Sequence, residues 1–324
     1  MSGGMMQING SNLRFSVLNS TLIGNTASNG DGGCIRGRSN ITMDIRRTNI
    51  VSNQAGTNGG CMSFGEDTNI NISSSILDQN IANQSGGIMY VKTRSYMHLV
   101  RNTTITNNKA LYRDGGGFYN LAIYNIELTK IHKNSARENG GFVYVEMMYE
   151  NKLRIIQSSF QSNIAKTKSG GVMMIHNVLP DGLFVDIEGT HYVENKAGMS
   201  GGMMQINGSN LRFSVLNSTL IGNTASNGDG GCIRGRSNIT MDIRRTNIVS
   251  NQAGTNGGCM SFGEDTNINI SSSTLDQNLA NQSGGALKVD NNMILGISNL
   301  IVRHNIAREG YGGVFSSGNQ FILY

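Results

Sequence analysis

Apolar and polar residues alternate along many short segments of this chain. In residues 40–45 (NITMDI) and 69–72 (NINI) every second side chain is apolar, and Met62 and Phe64 flank a polar residue in the same way. A period of two is typical of short β-strands that bury one face, whereas an amphipathic helix has a period of 3.6 residues. The pattern therefore predicts many short strands and no helical segment.

The strands recur in a unit of about 28 residues. Gly-Gly pairs occur twelve times at intervals of 24 to 31 residues, starting at Gly3, Gly32, Gly59, Gly86, Gly116, Gly140, Gly170, Gly201, Gly230, Gly257, Gly284 and Gly312. Eleven of the pairs follow an Asn-x-Ala motif, whose asparagines are Asn25, Asn53, Asn80, Asn108, Asn134, Asn163, Asn195, Asn223, Asn251, Asn278 and Asn305. Three residues before each asparagine stands an apolar residue, such as Leu22, Ile50 or Phe160. The unit is therefore Φ-x-x-N-x-A, a polar spacer, then G-G-Φ-Φ-x-Φ, where Φ is apolar.

Units of this kind predict an all-β fold, a right-handed parallel β-helix or β-solenoid. We expect about 11 coils with three short strands each, climbing about 4.8 Å per coil to make a rod roughly 50 Å long. Equivalent residues of successive coils then lie above one another, so the asparagines form a structural ladder of hydrogen-bonded amides. The alanine fits a crowded inward corner, and the glycine pair supplies positive φ where the chain turns.

A longer repeat is superimposed on the coils. Residues 1–87 recur as 199–285, and the copies differ only at Ile76 against Thr274 and Ile81 against Leu279. We interpret 1–324 as one continuous solenoid with a duplicated block and an offset of 198 residues. Met1 aligns with the internal Met199, and the sequence opens and stops inside coils, at 2–4 and 321–324. These features predict a segment of a longer repeat array.

Composition narrows the class of protein. The chain has 43 Gly but 1 Pro, unlike collagen-like or disordered chains, and its charged fraction is 15%. A surface of Asn, Ser, Thr and Gly is common in extracellular β-rich proteins. The net charge of +5 is thinly spread and lacks an accompanying motif, so nucleic-acid binding is not favoured. No apolar run predicts a transmembrane segment, and the start lacks the order of a signal peptide.

The Gly-Gly-Φ-Φ and Φ-x-x-Asn motifs resemble the repeats of polymorphic outer membrane proteins, known by their GGA[ILV] and FxxN signatures. Residues 160–163 (FQSN) with 170–173 (GGVM) are the closest unit, and 284–287 (GGAL) match the GGA[ILV] form. The resemblance covers essentially the whole chain, although Cys34, Cys61, Met203 or Phe142 often replaces the alanine. It implies a parallel β-helix displayed on a cell surface and acting in adhesion.

Four cysteines occupy the position after a Gly pair. Cys34 and Cys61 lie 27 residues apart, as do Cys232 and Cys259, so each pair belongs to adjacent coils about 4.8 Å apart. That distance permits two disulfides, which suit an oxidising, extracellular setting. The alternative is four reduced, buried thiols in the site that alanine usually holds. The spacing does not favour zinc, and neither a metal nor a cofactor is predicted.

N-glycosylation sequons are frequent in the chain, which is rich in Asn, Ser and Thr. They become informative only if the protein passes through a eukaryotic secretory pathway. The candidate acceptors are Asn9, Asn19, Asn40, Asn71, Asn83, Asn102, Asn207, Asn217, Asn238, Asn269 and Asn281.

The residue directly after each Gly pair is apolar on every coil, although alternation would place it outside. Either the strand bends and buries this residue at a corner, or an apolar stripe runs along the rod and mediates lateral association. The residues are Met5, Cys34, Cys61, Ile88, Phe118, Phe142, Val172, Met203, Cys232, Cys259, Ala286 and Val314.

An enzymatic site would need clustered carboxylates with a basic partner, as in polysaccharide lyases and hydrolases. Candidate residues are Glu66, Asp67, Arg46 and Arg47 with their copies Glu264, Asp265, Arg244 and Arg245, and Asp181, Asp186, Glu188, His176 and His191 in the unique region 88–198. The five histidines, which also include His98, His132 and His304, show no metal spacing. We regard solvated loop charges as the better interpretation and do not predict an enzyme.

The predicted function is that of an extracellular or cell-surface structural or adhesive protein. It would form a stalk or filament by end-to-end or lateral self-association, and glycans or a neighbouring cell surface are its other expected partners. The first alternative is a carbohydrate-binding adhesin module that uses the loops 146–153 and 177–191. A polysaccharide lyase or hydrolase is a more distant alternative.

Overall fold

A computed structural model describes residues 3–149, 151–318 and 321–323 of the chain. The described residues form strands and turns but no helix, and hence none long and apolar enough to cross a membrane. The strands are parallel and build three sheets around about 11 coils of about 28 residues. The predicted all-β solenoid is therefore confirmed.

The first sheet is the widest, because it takes two strand segments from each coil. The segments that follow the Gly pairs are Met6–Ile8, Ile35–Gly37, Met62–Phe64, Phe118–Ile123, Val143–Val145, Met173–Ile175, Met204–Ile206, Ile233–Gly235, Met260–Phe262, Leu287–Val289 and Phe315–Ser317. The second segments are Leu13–Leu18, Ile41–Arg46, Asn69–Ser73, Asn125–Glu127, Lys152–Ile156, Leu183–Glu188, Leu211–Leu216, Ile239–Arg244, Thr266–Ser271, Met293–Ser298 and Phe321–Leu323. In the fourth coil both segments merge into the long strand Met89–Arg101.

The other two sheets have 11 short strands each. The second sheet carries the apolar residue that precedes the asparagine by three positions, in strands Thr21–Ile23, Asn49–Val51, Ile76–Asp78, Thr104–Thr106, Lys130–His132, Ser159–Gln161, His191–Val193, Thr219–Ile221, Asn247–Val249, Thr274–Asp276 and Ile301–Arg303. The third sheet carries the alanine, in strands Thr26–Ala27, Gln54–Ala55, Ile81–Ala82, Lys109–Ala110, Ser135–Ala136, Ile164–Ala165, Lys196–Ala197, Thr224–Ala225, Gln252–Ala253, Leu279–Ala280 and Ile306–Ala307. Each coil thus contributes four strand segments to the three sheets, one more than the three strands predicted, because the first sheet takes two.

One apolar core runs along the inside of the rod. In strand Ile41–Arg46 the inward residues Ile41, Met43 and Ile45 are at most 1% exposed, while the residues between them reach the surface. The same residues pair in register with those of the coils on either side. Since each buried side chain lies over a buried side chain of the next coil, the alternation seen in the sequence becomes a continuous hydrophobic column.

The residue after the Gly pair lies inside the rod in every coil that has a coil on either side. The N–H groups of Cys34 and Ile35 both donate to the same carbonyl oxygen, that of Cys61, at 2.7 and 2.9 Å. Two consecutive residues therefore share one ladder position, as in a β-bulge, and both side chains turn inward. Cys34, Ile88 and Phe142 are fully buried. The hypothesis of an exposed apolar stripe for lateral association is wrong, because the chain bends at this corner.

In the fifth coil the Gly pair lies one residue earlier than the sequence analysis placed it. Gly115 has φ of +67°, like the first glycine of the other pairs, so the functional pair is Gly115-Gly116 rather than Gly116-Gly117. Gly117 then takes the corner position, where an added Cβ would lie 2.9 Å from the Phe142 ring. Phe118 pairs instead with Met89, one place further along the coil.

The two glycines of a pair have different roles. The first, such as Gly140 with φ of +63°, adopts the left-handed conformation that glycine tolerates best. The second does not have positive φ but lies against the next coil. A Cβ on Gly141 would lie 2.1 Å from the Gly171 carbonyl oxygen and 2.6 Å from the Ile164 nitrogen. The pair thus allows one turn and one close backbone approach.

Candidate functional site

The asparagines form a continuous ladder of amides inside the rod. The Asn53 Nδ2 donates to the Leu22 carbonyl oxygen at 2.9 Å and to Asn80 Oδ1 at 2.9 Å. Its Oδ1 accepts from the backbone N–H and the Nδ2 of Asn25, both at 2.9 Å. Both donors and both lone pairs of this fully buried amide are satisfied, which offsets the cost of its burial. The ladder has a structural role and offers no group for chemistry.

A second ladder consists of hydroxyl groups and was not identified in the sequence. The Thr48 Oγ1 donates to the Arg46 carbonyl oxygen at 2.9 Å, and the Thr48 N–H donates to Ser75 Oγ at 3.1 Å. Its signal is a Ser or Thr two residues before the apolar residue of Φ-x-x-Asn. The members are Ser20, Thr48, Ser75, Thr103, Thr129, Ser158, Thr190, Ser218, Thr246 and Ser273.

Both predicted cysteine pairs are joined as disulfides between adjacent coils. Cys34 pairs with Cys61 and Cys232 with Cys259, each with Cα atoms 4.7 Å apart. All four side chains are fully buried. Each bridge therefore links two coils through the interior of the rod.

The eleven sequon asparagines all lie at or near the surface. Seven are exposed, namely Asn9, Asn19, Asn40, Asn102, Asn217, Asn238 and Asn269, the last unlike its half-buried counterpart Asn71. The half-buried group further includes Asn83, Asn207 and Asn281. The side-chain oxygen of Asn71 is buried, whereas the seven exposed positions are open to a glycan, and occupancy stays a prediction.

Three of the carboxylates considered for catalysis, Glu66, Asp67 and Asp186, take part in ion pairs between coils. Arg94 lies 3.0 Å from Glu66 and 3.2 Å from Asp67, and Arg154 lies 3.6 Å from Asp186. In the second copy Asn291 and Asn292 replace the arginine, donating to Glu264 at 3.3 Å and to Asp265 at 2.8 Å. Arg46 and Arg244 bind the aspartates two residues before them, Asp44 and Asp242.

The histidines are dispersed over the rod. His132 contacts Ser159 Oγ at 3.0 Å and His304 contacts Asp276 at 3.1 Å, while His98 packs on Tyr96 with ring centroids 4.9 Å apart. His176 comes directly after the strand Met173–Ile175 of the first sheet. His191 is the exposed first residue of the strand His191–Val193 in the second sheet. Among the described residues, no group of three or more His, Cys, Asp or Glu is placed to hold a metal ion. Residue 150, in the predicted binding loop 146–153, lies outside the described residues, as do Met1, Ser2 and Tyr324.

The most distinctive surface is a row of outward residues on the first sheet with a cleft at each end, and we call the row and its two clefts the tyrosine groove. Its floor consists of one outward side chain from each coil. This residue is the middle one of the strand after the Gly pair and lies between two buried neighbours, as Tyr90 does between Met89 and Val91. Parallel pairing places these residues in one row from coil 2 to coil 8, namely Arg36, Ser63, Tyr90, Tyr119, Tyr144, Met174 and Gln205.

The three tyrosines stack face to face along the rod. The ring centroids of Tyr90 and Tyr119 are 4.9 Å apart with planes inclined by 9°, and those of Tyr119 and Tyr144 are 5.2 Å apart at 17°. Since the faces cover one another, the edges and hydroxyls point into the groove. None of the three hydroxyls is buried, and none hydrogen-bonds to another described residue. The floor thus presents a row of phenol hydroxyls at intervals close to one coil.

The environment keeps these phenols protonated. Partial burial raises the pKa of all three tyrosines, that of Tyr144 to about 12, and the carboxylates of Asp114 and Glu146 add to the rise at Tyr119 and Tyr144. Burial also raises the pKa of Asp114 itself, although Asn139 donates to it. Each hydroxyl is therefore both a donor and an acceptor throughout the physiological range.

A cleft opens at each end of the tyrosine row. The cleft of about 370 Å³ beside Tyr90 is lined by Asp31, Arg36, Arg38 and Lys92, which gives it an excess of positive charge. The cleft of about 730 Å³ beside Tyr144 is lined by Asp114, Glu138, Lys168, His176 and Gln205. The groove is therefore longer than its aromatic centre and changes in charge from one end to the other.

Hydrogen bonds between coils hold both walls of the groove. On one wall Asn139 donates to Asp114 Oδ1 from its backbone N–H at 2.9 Å and from Nδ2 at 2.8 Å. On the other, the buried Asn120 donates to the Lys92 carbonyl oxygen and accepts from the Glu146 N–H at 3.1 Å. These contacts span three coils, so the walls are fixed relative to the tyrosines.

The raised tyrosine pKa values predict how stability depends on pH. Because the pKa of Tyr144 is about 12 in the folded chain against 10.0 ordinarily, its contribution to stability is complete below pH 10 and is lost as the pH rises toward 12. In an alkaline titration followed by tyrosinate absorbance, Tyr144→Phe should remove amplitude from the step near pH 12. The control Tyr112→Phe, at a side chain 64% exposed, should leave that step unchanged. Loss of amplitude below pH 10 in Tyr144→Phe would contradict the burial argument.

The sequence predicted the asparagine ladder but neither the hydroxyl ladder nor the tyrosine groove. Its signal is the x position of G-G-Φ-Φ-x-Φ, which reads Tyr in three successive coils and only there. All three tyrosines lie in the unique region 88–198, and the duplicated blocks carry Gln, Arg and Ser at this position. The resemblance to polymorphic outer membrane protein repeats stays a prediction, since comparison with protein-family models, curated proteins and solved structures found no match to this chain.

Proposed function

We propose that this chain is a segment of an extracellular structural and adhesive rod, in which its coils stack on further coils of the same kind. The observation that carries the proposal is that identical residues of the two duplicated blocks are exposed at the end of the rod and buried in its middle. Met5, Met6 and Leu13 in the first coil are 47, 45 and 39% exposed. Their identical counterparts Met203, Met204 and Leu211 are fully buried beneath the seventh coil.

The exposed face of the first coil is therefore a surface that the chain buries elsewhere by stacking. At the opposite face the inward residues Val302 and Leu323 are 39 and 53% exposed, whereas Leu275 and Leu295, with which they pair on the preceding coil, are fully buried. Covering such apolar groups and pairing the edge strands would stabilise an additional coil at either face. A further coil, in the same chain or in another copy, is the occupant that fits both faces.

Two features support an extracellular location. Buried disulfides join Cys34 to Cys61 and Cys232 to Cys259, and such bonds persist mainly in oxidising compartments. The surface also carries seven sequons whose asparagines are exposed. A rod whose coils contact only their neighbours suits a spacer or stalk, because its length follows from the number of coils.

Self-association tests the stacking. Sedimentation velocity and electron microscopy of residues 1–324 should show particles that lengthen with concentration, in steps of one chain. The double variant Met6→Lys, Leu13→Lys places two charges on the end face and should leave single rods. Leu128→Lys is the matched control, because Leu128 is similarly exposed, at 47%, but lies on the flank.

Single rods of the parent chain at high concentration would overturn the stacking proposal, as would equal loss of association in Leu128→Lys. The location is tested separately by peptide mapping of protein from its natural source without reductant. Intact coil-to-coil disulfides support an extracellular site, and four free thiols contradict it.

A further inference from the structure

We propose that the tyrosine groove binds an extended β-linked glycan, of the cellulose or chitin type, along the axis of the rod. The inference goes beyond the stalk function and does not depend on end-to-end stacking. It moves the carbohydrate site from the loops 146–153 and 177–191, where the sequence suggested one, to the first sheet.

The first argument is the spacing of the floor. The tyrosine rings repeat at 4.9 and 5.2 Å. An extended β-linked glycan advances by one sugar over a similar distance, and each sugar is turned over relative to the one before it. One sugar can therefore lie over each coil, and alternate sugars present the same edge to every second coil. Side chains on one face of an extended peptide repeat at about 6.8 Å, and would lose register after one coil. Single-stranded nucleic acid needs exposed ring faces, which these stacked rings do not offer.

The second argument is the chemistry of the row. The three hydroxyls are partly desolvated, protonated and without partners among the described residues. Sugar hydroxyls need partners that both donate and accept, and a protonated phenol does both. Asp114 and Glu146 lie close enough to influence Tyr144, so they add acceptors beside the row. A groove of fixed polar groups of this kind loses little entropy when a ligand binds.

The third argument is length. From Arg36 to Gln205 the floor spans seven coils, about 29 Å at the sheet spacing, so the groove with its two end clefts accommodates a hexasaccharide. The tyrosine row occurs once in the chain. In the duplicated blocks the floor reads Arg36 and Ser63 or Arg234 and Ser261, so the duplication supplies the rod on either side without a second site.

The test is calorimetric titration of the full chain with cellohexaose, chitohexaose and, as an α-linked comparison, maltohexaose. We expect binding of cellohexaose or chitohexaose, and which of them binds identifies the sugar. Tyr119→Ser and Tyr144→Ser should each weaken that binding at least tenfold. Both variants should fold, because Ser63 and Ser261 occupy the same position on other coils.

Two control variants test whether glycan binding depends on the tyrosine groove. Tyr112→Ser removes an exposed tyrosine outside the groove, and Lys288→Ser changes the equivalent floor position on the eleventh coil. Both should bind as the parent does. The proposal is overturned if neither β-linked hexasaccharide binds, if maltohexaose binds as tightly, or if Tyr112→Ser weakens binding as much as Tyr119→Ser.

Discussion

Replacing Asn163 by aspartate is expected to lower the free energy of unfolding by about 4 kcal/mol or more. The Asn163 Nδ2 donates to the Ile131 carbonyl oxygen at 2.8 Å and to Asn195 Oδ1 at 3.0 Å, and the side chain is fully buried. A carboxylate cannot donate, so both acceptors lose their partner and a charge is buried without a counterion. Each unsatisfied buried group costs about 1–3 kcal/mol, and an unpaired buried charge costs more.

Chemical denaturation of both proteins measures this difference. The matched control is Asn217→Asp in protein made without glycosylation, because Asn217 is exposed and its φ of +48° is one that aspartate tolerates. We expect the control to lie within about 0.5 kcal/mol of the parent. A similar small effect at Asn163 would show that the amide ladder contributes little to stability.

The substitution Gly141→Ala is expected to be about as damaging, by about 4 kcal/mol or more. Its new Cβ would overlap the Gly171 carbonyl oxygen at 2.1 Å and the Ile164 backbone at 2.6 to 2.7 Å. Backbone of an adjacent strand cannot move aside as a flexible side chain does, so the two coils would have to separate locally. The separation would also strain the hydrogen bonds on either side, including Gly141 N–H to the Gly170 carbonyl oxygen at 3.0 Å.

The chain contains its own control for this prediction. Gly313 occupies the same place in the last Gly pair, but a Cβ there would meet only the Asn305 carbonyl oxygen, at 3.4 Å. Gly313→Ala should therefore change the unfolding free energy by less than about 1 kcal/mol. Thermal and denaturant unfolding of the two variants separates an effect of coil contact from the general effect of replacing glycine. Equal destabilisation would contradict the coil-contact explanation.

The coil architecture could be predicted from the sequence, because the stacking of coils requires a regular repeat of residue types. A solenoid places one residue type at the same position of every coil, so the repeat of Asn53, Asn80 and Asn108 in the sequence already encodes their vertical contact. The buried corner at Cys34 could not be predicted from alternation, since two N–H groups share one carbonyl oxygen there. Three consecutive glycines, 115–117, permit two registers, and only pairing with neighbouring coils selects one.

The groove was harder to predict, because no outward residue is needed to hold the coils together. Tyr90, Tyr119 and Tyr144 become visible as a set only after the coils are aligned. The ion pairs of Arg94 depend on which coil follows, as the second copy shows by placing Asn291 and Asn292 beside the same acidic residues. The outward residues therefore vary between coils, while the buried asparagine is the same in every coil.

The hydrogen bonds of the asparagine ladder all run in one direction. From Asn25 to Asn278, each Nδ2 donates to the asparagine of the next coil toward the C-terminus, and no described rung reverses. The rod therefore has a polar axis, with acceptors facing one end and donors facing the other. Two rods that met by the same end would oppose acceptor to acceptor or donor to donor, which disfavours a two-fold symmetric junction. We therefore expect any assembly through these ends to be head to tail, the arrangement that leads to open filaments rather than closed dimers.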